Sequence, residues 1–581
     1  MTTKTSDLEP RPAARRYLGL GGHDVAIIAM TGVLAGCGLI YEYLLAHTAG
    51  RILGAIETVI FAMIGIMIVS MGIGSFLARV VANAFTGFAW LETGLALLGG
   101  TSVLLLSAIS ALVVVLPISI GETYGLPPDL VPRGALVETL EDIAEYAPFV
   151  LGALLGIMVG MEIPLIARVR LQVHQAHLAH NTGTIYGADY LGAGVGAALW
   201  VGFMLTMEPA RAAVLTAAAN LGVGFLFLLL YGRFVRWPWL VLAMHGLVAA
   251  VLAVIAANGA TWSQAMEDLL YQDRVVYRID TGLQRLTVTE RRIDPRQAPI
   301  YTFYINGRTQ FASNDEHIYH AMLTYPAMAA SARRERVLIV GGGDGLALRD
   351  VLRWNPNEVV LLDLDSRLVD FFAKPELRDG RVVNRPLLEL NQFAFSDPRV
   401  RTRFGDAFLT AEALIREGRL FDAIIVDLPD PSHIDLNRLY TVRFYTKLRQ
   451  LLAGDGAIAI QSTSPYHARA AFLSIGKTLA EAGYRQVEQY HQNVPSFGDW
   501  GWSIATLNGA PASRRLQALG PLPVDDGWTT KAILRAAFAF PSGFFSDLEA
   551  IVVNRLGNGV VYQYHQQAWE RQQGIYRRLD E

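Results

Sequence analysis

Five aspartates stand where chemistry is easily done, at the ends of apolar runs or inside glycine turns: Asp344, Asp363, Asp406, Asp427 and Asp430. The run Val337-Leu338-Ile339-Val340 leads into Gly341-Gly342-Gly343-Asp344-Gly345 and then a helical pattern, LALRDVLRW. A strand, clustered glycines and a helix make a turn that a nucleoside can approach closely, with Gly341 and Gly343 leaving the room. About 20 residues further on, a second run ends at Asp363-Leu364-Asp365, where an acid can accept both hydroxyls of a ribose. Gly405-Asp406-Ala407 then offers a carboxylate suited to an adenine amino group. Each acid alone could be a solvated surface group. The ordered set indicates an adenosyl ligand.

Asp344 discriminates between adenosyl donors. S-adenosylmethionine ends in an amino acid whose carboxylate would meet Asp344 in a partly desolvated turn, and like charges there repel by several kcal/mol. A tail ending in an amine alone would be attracted. The sequence therefore points to decarboxylated S-adenosylmethionine as co-substrate. A third run, FDAIIVDLPDP, ends in Asp427 and Asp430 at the carboxyl edge of a sheet, where such folds bind ligands. Pro429 and Pro431 prevent a regular helix, so both side chains can turn into one cleft. Paired acids suit a diamine: one holds a cationic amine, and the other takes the proton lost as the attacking nitrogen is alkylated. A sulfonium is already an activated leaving group, so the reaction asks for no metal, and His317 with His320 is poor ground for a metal site.

These residues need a platform, and the chain supplies one in its second half. The stretches 283–289 and 300–305, followed by Asn306-Gly307, read as a small antiparallel sheet. The runs at 337–340, 359–364 and 423–428 are continuously apolar, as in parallel strands covered on both faces. The expected layout is a small β subdomain over 275–328, a Rossmann-like methyltransferase-type parallel sheet over 330–508, and an extension over 509–581.

The first half has a different texture. Apolar residues make up 52% of the chain and charged residues 17%, and the apolar excess sits before residue 260. Behind a polar, basic segment over 1–23, a multi-pass α-helical membrane domain is expected over 24–258. Its seven runs lie at 25–47, 53–77, 90–117, 147–167, 184–206, 212–231 and 238–257. Gly152, Gly156 and Gly160, and again Gly192 and Gly196, recur at every fourth position, a spacing that lets membrane helices approach closely. Glu42, Glu57, Glu92, Glu162 and Asp189 lie within or at the ends of these runs, where ionisable groups serve a function or sit at the interface. Arg11, Arg15, Arg16, Arg168, Arg170, Arg233 and Arg236, set against an acidic 118–146 loop, put the N-terminus in the cytoplasm by the positive-inside rule. Seven crossings would then leave the second half outside, whereas a cytosolic adenosyl donor asks for a cytoplasmic catalytic domain. The expected location is the inner cell membrane, with the catalytic domain in the cytoplasm. A net charge of −3 argues against a nucleic-acid partner, and a single cysteine, Cys37, excludes an internal disulfide.

The segment from Asn306-Gly307-Arg308-Thr309-Gln310 to Asp315-Glu316-His317-Ile318-Tyr319-His320 resembles the signature that leads into the spermidine synthase core. GGGDG, Asp363, GDA, the Asp427/Asp430 pair, and Leu439-Tyr440-Thr441 with Phe444-Tyr445 follow in that family's order across residues 275–508. The resemblance implies aminopropyl transfer from decarboxylated S-adenosylmethionine to putrescine or a similar amine, giving spermidine and methylthioadenosine. It implies that Gln284, Tyr319, His320, Asp344, Asp363, Asp406 and Asp427 hold the nucleoside or its tail. Asp427 would also be the base, Asp430 would seat the amine, and Gln461 would lie beside the cleft. The chain departs from soluble members at Ala321, where they carry Glu, and at Phe497, which replaces a Tyr whose phenol could reach the amine. DLPDP, QSTSPY and VPSFGDWGW resemble the branch of the family fused to a membrane domain. Implied partners are a small amine, the adenosyl donor and the lipid bilayer, with a homodimer as one assembly. Two other readings stay open: a methyltransferase of a membrane substrate, and a non-catalytic polyamine transporter or sensor.

Overall fold

The computed structural model describes residues 22–53, 56–123, 135–174, 181–271, 273–378 and 380–572. Arg11, Arg15, Arg16, Asp129 and the side chains of Glu57, Glu122, Glu138 and Glu141 lie outside the described residues. The chain forms two compact units, Met1–Gln272 and Asp273–Glu581.

The first unit is a bundle of helices α1 (Gly22–Leu53), α2 (Ile56–Leu77), α3 (Ala84–Thr123), α4 (Ala135–His174), α5 (Asn181–Gly202), α6 (Pro209–Tyr231) and α7 (Pro238–Asp268). All seven are long and apolar enough to cross a bilayer, and each run read from the sequence falls mainly within one of them. The fourfold glycine spacing is used for close packing. A Cβ on Gly160 of α4 would lie 2.0 Å from the Met71 carbonyl oxygen of α2, and one on Gly192 of α5 would lie 2.0 Å from that of Gly32 in α1. One end of the bundle is tied by arginines. Arg170, late in α4, pairs with Asp24 at the start of α1 at 3.0 Å. Arg168 donates to the carbonyls of Ala78 and Val81, just past α2, and the Arg236 amide, past α6, donates to Thr86. The start of α1 and the ends of α2, α4 and α6 therefore share one end, and α7 leaves from the other. Inside the bundle, Glu92 is fully buried and accepts from Asn220. Glu162 and Glu42 are buried too, whereas Asp189 is half-buried.

The second unit opens with a four-stranded antiparallel meander, β1 (Arg274–Asp280), β2 (Arg285–Arg291), β3 (Ile300–Ile305) and β4 (Arg308–Ala312). Asn306 and Gly307 both take positive φ, 50° and 80°, the mirror-image turn that matches strand twist in a two-residue hairpin. Helix α8 (Glu316–Ala330) leads into strands and helices β5 (Arg336–Gly341), α9 (Leu346–Leu352), β6 (Glu358–Asp363) and α10 (Ser366–Ala373). A short ribbon, β7 (Leu377–Arg378) and β8 (Arg381–Val382), precedes α11 (Arg385–Leu390), β9 (Val400–Phe404), α12 (Ala407–Arg416) and β10 (Phe421–Asp427). Then come α13 (Ile434–Asn437), α14 (Val442–Leu451), β11 (Leu452–Gln461), α15 (Arg469–Glu481), β12 (Gln486–Val494) and β13 (Gly498–Thr506). The extension contributes α16 (Ala512–Ala518), α17 (Lys531–Ala536) and α18 (Val560–Gln572).

The main sheet has the order β12-β13-β11-β10-β5-β6-β9. The five strands from β11 to the β9 edge are parallel, and β13 and β12 finish the sheet antiparallel. Along β5 the side chains alternate between two cores: Val337 and Ile339 join one and Leu338 and Val340 the other. Helices cover both faces, which is why these strands read as unbroken apolar runs. The chain winds from β5 to β6 on one side and returns to β10 on the other. A crevice therefore opens at the carboxyl ends of β5 and β10.

Candidate active site

Gly341 ends β5 in register with Asp427, the last residue of β10. Its φ is 82°, and a Cβ there would sit 2.0 Å from the Asp427 carbonyl oxygen, so glycine lets the turn lie against the second strand. Gly343 does the same for the neighbouring strand: a Cβ would come within 2.7 Å of the Asp363 carboxylate. The turn thus rests between two strand-end acids. Asp344 follows, its Oδ1 accepting from the Leu346 amide at 2.9 Å at the start of α9.

Helix α8 brings two more groups to this turn. Tyr319 donates its hydroxyl to Asp427 Oδ1 at 2.9 Å. His320 is 2% exposed, and its Nδ1 lies 2.9 Å from Glu316 Oε2 and 2.8 Å from the Glu316 carbonyl, two acceptors that call for an N–H. Glu316 also receives Arg349 through two bonds of 2.7 and 3.0 Å. Burial would raise Glu316, but His320 and Arg349 hold its carboxyl down to about 2. Burial disfavours a charged ring at His320, yet Glu316, with Asp344 and Asp427 beyond it, raises it to about 9, so the ring is an imidazolium at neutral pH. Burial pushes Asp427 up to about 6, with the His320 charge opposing and Asp344 adding to the rise. Burial raises Asp344 as well, and His320 restrains it.

Ligand atoms of His320, Asp344 and Asp427 lie within 4.8 Å of one another, a spacing that a metal ion or a small organic cation could use. As a metal site the sequence offers His320 only with His317, while the family resemblance sets His320, Asp344 and Asp427 together around the nucleoside or its tail; the packing of α8 on the sheet brings these three together. Glu316 was within reach of a sequence argument, because it stands four residues before His320 on one helical face. Arg349 was not, because only folding brings α9 to it.

Around this centre the other expected residues divide. Burial pushes Asp363 up to about 7; its Oδ1 accepts the Asp365 amide at 2.8 Å. Gln284 reaches Asp365 rather than open space, donating to Oδ2 at 3.0 Å. Asp406 caps α12 through the Phe408 amide at 2.8 Å and pairs with Arg438, so its carboxylate already has partners, and Ala407 starts the helix. Phe497 is half-buried, its ring 6.0 Å from that of Tyr319 and 5.1 Å from Trp500, which gives the crevice an aromatic wall. Its turn is held by Ser496, whose amide and hydroxyl donate to buried Asp315. Ala321 is fully buried in the core behind α8.

Asp430 is engaged on both oxygens. Gln461 Nε2 donates to Oδ1 at 2.7 Å, and Thr463 Oγ1 approaches Oδ2 at 3.3 Å. The third partner is His565, whose Nε2 lies 3.1 Å from Oδ2. Tyr440 fixes the loop by donating to the Pro429 carbonyl at 2.8 Å. His565 was absent from the sequence reading, for it belongs to no motif and lies 135 residues from its partner.

The family model for the spermine/spermidine synthase domain matches residues 316–516. A polyamine aminopropyltransferase of Shewanella oneidensis is 54% identical over 552 residues, which cover 95% of this chain and 96% of that protein. Polyamine aminopropyltransferase 1 of Ralstonia nicotianae is 34% identical, with 97% of each chain covered. Among solved structures, a spermidine synthase in complex with the transition-state analogue AdoDATO is similar with a TM-score of 0.41 and 23% identity, over 48% of this chain and 89% of its own.

Proposed function

The chain belongs to the polyamine aminopropyltransferase family, and on that premise we propose that it alkylates a diamine such as putrescine with decarboxylated S-adenosylmethionine, giving spermidine. The observation that carries the choice of donor is the charge at the glycine turn. Two carboxylates, Asp344 and Asp427, face one imidazolium, His320, which leaves the crevice with an excess negative charge. A donor with a sulfonium and a terminal ammonium suits that balance; one that adds a carboxylate does not.

In this reading the amine nitrogen attacks the carbon beside the sulfonium. The new C–N bond forms as the C–S bond breaks, sulfur leaves as the neutral thioether of methylthioadenosine, and the nitrogen releases its proton to Asp427. Tyr319 orients Asp427 through its hydrogen bond. Asp344 takes the donor's ammonium, Asp363 the ribose hydroxyls, and Gly341 and Gly343 keep the turn open to the nucleoside. Asp406 and Ala407 border the adenine, Gln284 fixes Asp365 beside the ribose, and Asp430, Gln461 and Phe497 form the amine side. The catalytic unit faces the cytoplasm, where adenosyl donors are made, and the seven helices hold it to the inner membrane.

The test is to incubate purified full-length protein with each adenosyl donor and a panel of amines and to identify products by mass. Spermidine from putrescine and the decarboxylated donor is expected. Methylated products from ordinary S-adenosylmethionine would overturn the reading.

A further inference from the structure

The family match ends at residue 516, yet the chain beyond it returns to the crevice. Asn554 is fully buried and ties the extension to the segment that follows Asp430: its side chain donates to the carbonyls of Asn437 and Tyr440 at 3.3 and 3.0 Å. Its carbonyl accepts the Val442 amide at 3.1 Å. At the start of α18, the Tyr562 amide donates to the Asn437 side chain at 3.2 Å. Helix α18 packs against α13 and α15 from this anchor. One turn further along it, His565, 2% exposed, sets its Nε2 against Asp430 Oδ2.

An ionised carboxylate offers about four lone-pair directions. Gln461, Thr463 and His565 occupy three of those on Asp430. One direction is left, and the side chain cannot turn to offer another. We propose that His565 is a positioning residue for the acceptor amine: it holds Asp430 so that its remaining lone pair faces the ammonium to be bound. The proposal rests on the reading of Asp430 as the amine seat. It gives the extension a part in amine recognition.

Steady-state kinetics of the full-length protein with putrescine as the varied amine test it. His565→Ala should raise the amine KM about tenfold, the effect of losing a hydrogen bond to a charged group. kcat at saturating amine and the affinity for methylthioadenosine should stay within about twofold of wild type. His565→Gln, which can present an N–H at a similar reach, should restore most of the amine KM. An unchanged KM in His565→Ala overturns the assignment, as does a joint loss of kcat, nucleoside affinity and thermal stability, which would mean that α18 merely supports the fold. Lack of rescue by Gln also counts against it. Any of these in an enzyme that still makes spermidine leaves the proposed reaction standing; a wild type that alkylates no amine removes both.

Discussion

In the proposed reaction Asp344 meets the tail of the donor, and that tail decides whether its charge attracts or repels. Asp344→Asn keeps the shape and the contact with the Leu346 amide but removes the charge. It should weaken binding of the decarboxylated donor roughly 10- to 100-fold, the worth of a charge-assisted hydrogen bond, and narrow the discrimination against S-adenosylmethionine in parallel. Calorimetry with both donors reads the two effects together. In the proposed reaction Asp427 acts at the next step. Asp427→Asn should lower kcat on the order of 100- to 10,000-fold while methylthioadenosine still binds, because a proton acceptor is lost with little change in volume. The pH profile should follow the same group. Its carboxyl is raised to about 6, and only the ionised form can take a proton, so turnover should fall as pH drops below about 6 and level off above it. A rate flat to pH 5 would remove Asp427 as the base. Strand-end acids were legible in the sequence because their place in such folds is set by topology. Of the partners that tune them, Glu316 is legible as the residue four before His320 on one helix, but Arg349 and His565 are not, since their contacts exist only once distant segments have packed.

Asp365 shows how elements are pinned to one another. It caps α10 through the Arg367 and Leu368 amides and at the same time accepts from Thr281 and Gln284 in the β1–β2 turn. Asp365→Ala should cost about 1–2 kcal/mol from the cap alone. It should also release the meander from the neighbourhood of Asp363, the ribose acid of the proposed reaction, so a lower melting temperature with weaker donor binding is expected. Loss of stability without any change in donor affinity would show that the turn is held independently. At this scale the fold was legible where burial is two-sided or a turn is chemically marked. β5, β6 and β10 stood out as apolar runs, and Asn306-Gly307 marked its hairpin. β1 and β4 did not stand out, because their exposed positions interrupt any run. The antiparallel finish at β13 and β12, and the return of α18, depend on contacts across the sheet that no local pattern records.

The bundle separates its two ends. With seven crossings, the start of α1 shares an end of the bundle with Arg168, Arg170, Arg233 and Arg236, while α7 finishes at the other end. The positive-inside rule and the supply of donor therefore favour opposite orientations. The cytoplasmic catalytic unit proposed above follows the donor, since an enzyme without donor turns nothing over, whereas charge rules admit exceptions. A cytoplasm-dependent reporter fused after Glu581 should be active, and one fused before Met1 silent. The reverse pattern would put the catalytic unit outside and would require exported donor. Seven spans were legible because length and hydropathy suffice to find them. Their partners were half legible: fourfold glycines announced close contacts on α4 and α5, but not that α2 and α1 would make them.

The helix that brings His565 to Asp430 is translated after every strand of the sheet it touches. On the roles proposed for Asp430 and His565, a nascent chain can thus assemble its nucleoside crevice while still attached to the ribosome and have no finished seat for the amine. Capture of the reactive sulfonium would then mature before capture of the nucleophile. Ribosomes stalled ahead of residue 560 should display chains that retain methylthioadenosine but need far more putrescine than the released enzyme does.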